Sequence, residues 1–221
     1  MTSSTPRRSR QRVRDVAWTG LLGLSILSGC GSLLPKLPAQ PALFVIDDTT
    51  SAAVRTLAAP AVFAAGPTLV VNEPRAAPGY GTRQIVYVRT ANELEYFAFN
   101  QWAEPPSVML APLLVHAIER TGAFRAVVRA PTSVAGDMRL DTELVRLQQD
   151  FTAAPSRVHL TLRAVLIDTA TRRVVAWREF DADVASSSED APGGVAAAND
   201  VAHRVLVEVG AFCAEWIAKR N

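Results

Sequence analysis

The sequence predicts a single α+β domain in which a largely antiparallel sheet carries two main helices on one face. Three observations predict it. Residues 137–150 and 156–184 alternate apolar and polar side chains, the period of strands with one covered and one wet face. Two other stretches, 106–118 and 194–219, repeat apolar residues with the helical period of 3.6. The order along the chain is strands, helix, strands, helix, which suits helices gathered on one side of a sheet. No internal repeat or second domain is visible, and the domain is assigned to residues 42–218.

The chain before that domain has a different character. Arg7, Arg8, Arg10, Arg12 and Arg14 form a basic flank, and Val16 to Leu27 is an apolar run of 12 residues. Such a run is too short to span a hydrocarbon core of roughly 30 Å as a helix. A charged flank, a short apolar run and small residues before a cut are the marks of a secretory signal. The run closes on Leu27-Ser28-Gly29-Cys30, which reads as a lipobox. Residues 1–29 are therefore expected to be cleaved, with Cys30 taking a diacylglycerol on sulfur and an acyl chain, palmitate for example, on its new amino terminus. The residues after Arg7-Arg8 fit a twin-arginine export pattern poorly. Residues 30–41, with Pro35, Pro38 and Pro41 and the single charge of Lys36, are expected to form an extended tether. Gly31 stands where an aspartate would retain an enteric lipoprotein in the inner membrane, so the outer membrane is the expected address.

The charge balance follows from this division. Of 23 basic and 21 acidic residues, the signal holds five arginines and Asp15, leaving 18 basic and 20 acidic and a formal charge of −2. A nucleic-acid binder should show a basic patch or stripe, and none is present. With Cys30 acylated, Cys213 has no disulfide partner. It lies at helical spacing with Val209, Phe212 and Trp216 and reads as a small buried hydrophobe.

Taking the domain in order, Ala42 to Ile46 is a continuous apolar run and predicts a buried first strand. Asp47 to Pro60 is left unassigned. Thr68 to Val71 predicts a strand, and Pro74 to Gly81, with two prolines and two glycines, a loop. Gln84 to Arg89 alternates as a strand. Leu94 to Asn100 alternates with apolar residues on both faces and predicts a strand covered on both sides. Pro105-Pro106 opens a helix, since proline suits a first turn whose N–H groups lack partners. Met109, Leu110, Leu113, Leu114, Ala117 and Ile118 carry its stripe, and Gly122 ends it. Phe124 to Val128 returns as a strand. Residues 156–184 predict a long hairpin turning at Asp168 to Arg173, and Ser186 to Gly194 a polar loop. The last helix, about Gly194 to Lys219, carries an apolar stripe from Val195 to Ile217. The stripe reads as core contact, because a membrane-surface helix should be richer in lysine and arginine.

Chemistry is sparse. His116, His159 and His203 form no H-E-x-x-H pair, and no cysteine pair has metal-ligand spacing. There is no G-x-S-x-G elbow, and Ser186-Ser187-Ser188 has no histidine nearby in sequence. Asp181 and Asp183 share one side of a strand with nothing to split their pKa values. No catalytic residue, metal site or cofactor is expected.

One stretch carries a resemblance. Gln84-Ile85-Val86-Tyr87-Val88-Arg89, then Leu94 to Asn100, then Gln101-Trp102-Ala103-Glu104-Pro105-Pro106, the helix with Leu110, Leu113 and Leu114, and Phe124 to Val128 resemble the ABC-type transport auxiliary lipoproteins, the PqiC-like family. Leu140 to Leu144, Gln148, Asp150, Phe151 and Trp177 also fit, and the Trp-Ala-Glu-Pro junction is the most specific part. Residues 47–78 depart from the pattern. The resemblance implies a lipoprotein without catalytic residues that serves an intermembrane lipid-transport system, alongside an MCE-domain protein and an inner-membrane transporter complex, with a homo-oligomer as one form. Cys30 is its one chemically defined position. Trp102 would cap the core at the strand–helix corner and Glu104 would favour the positive end of the helix dipole; alternatively the two form part of a partner-docking surface. Two other readings stand beside it: a different envelope-assembly lipoprotein, such as a secretion pilotin or lipopolysaccharide-assembly partner, and a tethered hydrolase using one of the histidines.

Overall fold

A computed structural model of the chain describes residues 40–47 and 66–220. The signal, Cys30, most of the tether and the unassigned stretch after Asp47 lie outside the described residues. The elements are β1 (Ala42–Phe44), β2 (Thr68–Val71), β3 (Arg75–Ala76), β4 (Gln84–Val88), β5 (Glu95–Trp102), α1 (Pro106–Glu119), β6 (Ala126–Arg129), β7 (Met138–Asp150), β8 (Arg157–Asp168), β9 (Arg173–Ala185) and α2 (Ala191–Arg220).

Everything is arranged along β7. One of its edges pairs antiparallel with β8 from Met138↔Asp168 to Asp150↔Arg157, with one shift of register between Leu144 and Arg146. The other edge is shared in series by three short parallel strands. Leu69 of β2 faces Met138, Arg75 of β3 faces Glu143, and Tyr87 of β4 faces Gln149. Two wings leave from there, β4–β5–β1 and β2–β6, while β9 closes the other side on β8. The long ladders are antiparallel, as the alternation predicts. The parallel pairings of β1, β2, β3 and β6 involve strands of four residues or fewer, too short for periodicity to reveal their direction.

The helices cover one face of this sheet, and the core lies between. Leu140, Leu144, Leu160, Leu162 and Leu166 stand on that face, fully buried with Val201, Val205, Val209 and Cys213 of α2 and Leu110, Leu114 and Ile118 of α1. Removing one such leucine to alanine typically costs about 2–5 kcal/mol, transfer and cavity terms together. Burial pushes the Cys213 thiol up to about 12, which keeps it protonated and unreactive. Across α2, Phe180 of β9 meets Phe212 edge to face at 5.9 Å.

Four expectations need correction. β1 is not a buried strand: it lies at the end of a wing, parallel to β5, with Leu43 57% and Val45 54% exposed and only Ile46 fully inside. β5 is not covered on both sides, since Phe99 is 63% exposed. The loop after Ser186 is shorter than predicted, because α2 begins at Ala191. Asp190 caps it: its carboxylate accepts the Gly193 N–H at 2.9 Å and the Ser188 hydroxyl at 2.6 Å. Pro192 sits in the first turn, where a missing N–H costs nothing, so the Pro-Gly-Gly run that reads as a breaker is the helix start. Within the predicted loop at 74–81, residues 75–76 form the two-residue β3.

The start of α2 is packed tightly against β7. Gln149 is buried, and its Nε2 donates to Ser156 Oγ at 3.0 Å and Ser186 Oγ at 3.2 Å, joining β7 to the loops on either side of the hairpin. Its Oε1 lies against Gly194, where a Cβ would stand 2.1 Å away. Gly194→Ala should therefore destabilise the protein, because an overpacking cost of about 1–3 kcal/mol outweighs the helix-propensity gain of about 1 kcal/mol. In a Gln149→Ala background the same change should become neutral or stabilising; denaturant melts of the four proteins in that cycle check it.

The Asp190 cap sets a pH dependence. The Ser188 hydroxyl and then the Gly193 N–H lower the Asp190 pKa in the folded chain. A lowered carboxyl pKa gives stability that is present above the unfolded value, about 4, and is lost as the pH falls through the lower folded value. Asp190→Ala should lower Tm at neutral pH, and its gap from wild type should close as the pH falls below about 4. A gap that does not change with pH would contradict this assignment.

Candidate functional site

The residues singled out from sequence fall in different surroundings. Cys30 lies outside the described residues. Trp102 ends β5 inside the core, 3% exposed, with its Cα opposite that of Phe44 of β1. Its backbone N–H donates to the Arg83 carbonyl at 2.7 Å, its carbonyl accepts Arg83 Nε at 3.1 Å, and the Ala103 N–H donates to the Phe44 carbonyl at 2.6 Å. The corner thus locks β1, β5 and the loop before β4 together. Glu104 is exposed just ahead of the α1 cap at Pro105, outside the first helical turn. Of the two residues only Glu104 is exposed at this corner.

The three histidines lie on three different elements. His116 is on α1, His203 on α2, and His159 on β8, with its Nε2 3.9 Å from Asp150 Oδ2. Among the described residues no group of three or more histidine, cysteine or acidic side chains could hold a metal. Ser186 and Ser188 are spent on Gln149 and on Asp190.

Two surfaces remain. The first is a cleft of about 270 Å³ between α1 and α2, floored by Leu113, Ala117 and Leu206 and bounded by Ile46 and Asn199. Asn199 stitches the chain leaving β1 to α2: its Oδ1 accepts the Asp47 N–H at 2.8 Å and its Nδ2 donates to the Val45 carbonyl at 3.2 Å.

The second is the face of the sheet turned away from the helices. Strand alternation puts a charged ladder there. Arg163 bridges Glu143 at 2.9 Å and Glu179 at 2.8 Å. Arg146 reaches Asp181 at 2.9 Å, and Thr161 Oγ1 donates to the same carboxylate oxygen at 2.6 Å, which with Arg146 lowers the Asp181 pKa. Arg157 pairs Asp183 and Arg139 pairs Asp141. Exposed pairs like these are worth about 0–1 kcal/mol each, so the ladder serves register and solubility more than stability. Toward the β8–β9 turn the same face becomes apolar. Val165 pairs Trp177 and Ile167 pairs Val174; Trp177 is 67% and Val174 57% exposed. Sequence reasoning did not find this patch. Trp177 keeps step with Glu179, Asp181 and Asp183, so strand alternation turns it to the wet face, where nothing among the described residues covers it.

Comparison with known proteins adds to this geometry. The domain is similar to a solved structure of a DUF330-family protein from Xanthomonas campestris, at 26% identity over 82% of this chain and 97% of that one, with a TM-score of 0.66. It shares its fold with a second solved structure, of an uncharacterised protein, at 13% identity, 80% and 99% coverage and a TM-score of 0.58. No curated protein matches. The family model described as the ABC-type transport auxiliary lipoprotein component matches residues 49–210, nearly the whole of the folded domain. The chain belongs to that family of auxiliary lipoproteins of ABC-type transport.

Proposed function

We propose that this chain is an acylated, non-catalytic component of an intermembrane lipid-transport system, held at the periplasmic face of the outer membrane by Cys30. The observation that carries the reading is the family match over residues 49–210 on a chain whose N-terminus ends in Leu27-Ser28-Gly29-Cys30. Acylation supplies membrane affinity at about 0.8 kcal/mol per buried CH₂, and stable anchoring takes more than one chain. A diacylglyceryl thioether with an N-acyl group meets that requirement. No helix among the described residues is long and apolar enough to cross a membrane. The partners in this reading are an MCE-domain protein and an inner-membrane transporter complex, and the domain acts by holding them rather than by turning over a substrate.

Two results test this. Cys30→Ala should abolish incorporation of a clickable palmitate analogue and move the protein out of the envelope pellet; retention of the variant in the membrane fraction would contradict the anchor. The wild-type protein, captured from detergent-solubilised envelopes, should bring an MCE-domain protein with it as judged by mass spectrometry. Recovery of only secretion or lipopolysaccharide-assembly components would replace the transport reading.

A further inference from the structure

Every carboxylate around the exposed end of the β8–β9 hairpin is already engaged. Asp168 accepts the Thr171 N–H and hydroxyl, both at 2.9 Å, and faces Arg220 at 3.3 Å. Asp141 is held by Arg139 and by Asn72, and Glu179 by Arg163. Arg172 and Arg173, both exposed, have no ion-pair partner among the described residues. They border the apolar patch of Val174 and Trp177, so this end of the face carries uncompensated positive charge beside an exposed indole.

The edge beside that patch is open as well. Among the described residues β9 pairs only with β8, which leaves a row of backbone donors and acceptors along a strand of 13 residues. Sheet edges are commonly guarded by charged side chains. Here the charges of β9 are turned elsewhere: Arg178 lies over the Phe180 and Phe212 rings and reaches Glu215 at 3.5 Å, while Glu179, Asp181 and Asp183 pair with β7 and β8. From Arg173 to Trp177 no second strand lies beside the edge among the described residues.

We propose that the Arg173–Trp177 stretch of β9 takes an extended, acidic segment of a partner protein by strand addition. The segment's backbone continues the sheet, its carboxylates pair with Arg172 and Arg173, and its apolar side chains seat on Trp177 and Val174. A tryptophan ringed by polar groups is the usual composition of a binding hot spot. A bilayer fits this surface poorly, since lipid cannot satisfy an open strand edge and the Glu143–Arg163–Glu179 ladder shares the face. A second copy of this chain brings two more uncompensated arginines to the same edge and, among the described residues there, no free carboxylate to pair with them. The inference rests on the reading above that the domain works by holding a protein partner.

The test is photo-cross-linking in intact cells. The full chain carries p-benzoylphenylalanine in place of Trp177, or in place of Glu208 on the exposed side of α2 as control. The expected result is an adduct at position 177 and not at 208, whose cross-linked peptide is an acidic, apolar segment of another protein. Replacing Arg172 by Asn and Arg173 by Glu, a pair that keeps a residue tolerant of the positive φ at 172, should reduce the adduct at least tenfold while leaving the thermal melt unchanged. An adduct to lipid, to a second copy or to a basic segment overturns the proposal, as does no adduct at 177. Trp177→Ala separates it from the broader reading. If that variant still co-purifies with its transport partners in full, the docking surface lies elsewhere and this inference falls while the proposed function stands. If the wild type co-purifies with no transport component, the proposed function itself fails.

Discussion

The structure depends on β7 being paired along both edges. On one side it has twelve partners in β8, and on the other it collects β2, β3 and β4 end to end. A strand used in this way cannot slip, because a shift of one residue would turn Leu140 and Leu144 to water and Arg139 and Asp141 into the core. With that register set, the positions of both wings and of the helix-covered face follow. The bulge between Leu144 and Arg146 is the one adjustment, and it brings Leu147 and Gln149 back to the inner face for the last part of the strand.

Gln149 is where this constraint meets the second layer. A buried amide is costly unless it is hydrogen-bonded, and this one joins β7 to Ser156 before β8 and to Ser186 after β9. Gly194 then allows the first turns of α2 to lie directly on it. Two polar atoms on the inner face of β7 are buried without a partner among the described residues: Gln149 Oε1 at this end, and Thr142 Oγ1 within the leucine ladder between Leu140 and Leu144. Asp190 and Pro192 start the helix at the one place where it can settle into that contact.

Much of this was legible in the sequence. The hairpin was readable because Val158, Leu160, Leu162, Ala164 and Leu166 alternate strictly and every one of them is buried. The α2 stripe was readable for the equivalent reason at period 3.6. What escaped was set by position in the sheet rather than by local pattern. Leu43, Val45 and Phe99 look like core residues, but a wing at the end of the sheet has no layer over it. Pro192-Gly193-Gly194 looks like a break, but Asp190 caps it from outside. For the functional surface the sequence offered Trp102, which the core absorbs, whereas Trp177 stands uncovered because it shares the outward phase of Glu179, Asp181 and Asp183.

In the proposed reading, the β7-centred domain acts by being held at a membrane while its open sheet edge meets a protein. The anchor is the part on which the rest relies, and the mass of the N-terminal peptide of the protein purified from its own envelope tests it most directly. The account predicts a peptide that begins at Cys30 and carries a diacylglyceryl group on sulfur with an acyl chain on nitrogen. A peptide that begins elsewhere, or an unmodified Cys30, would contradict it.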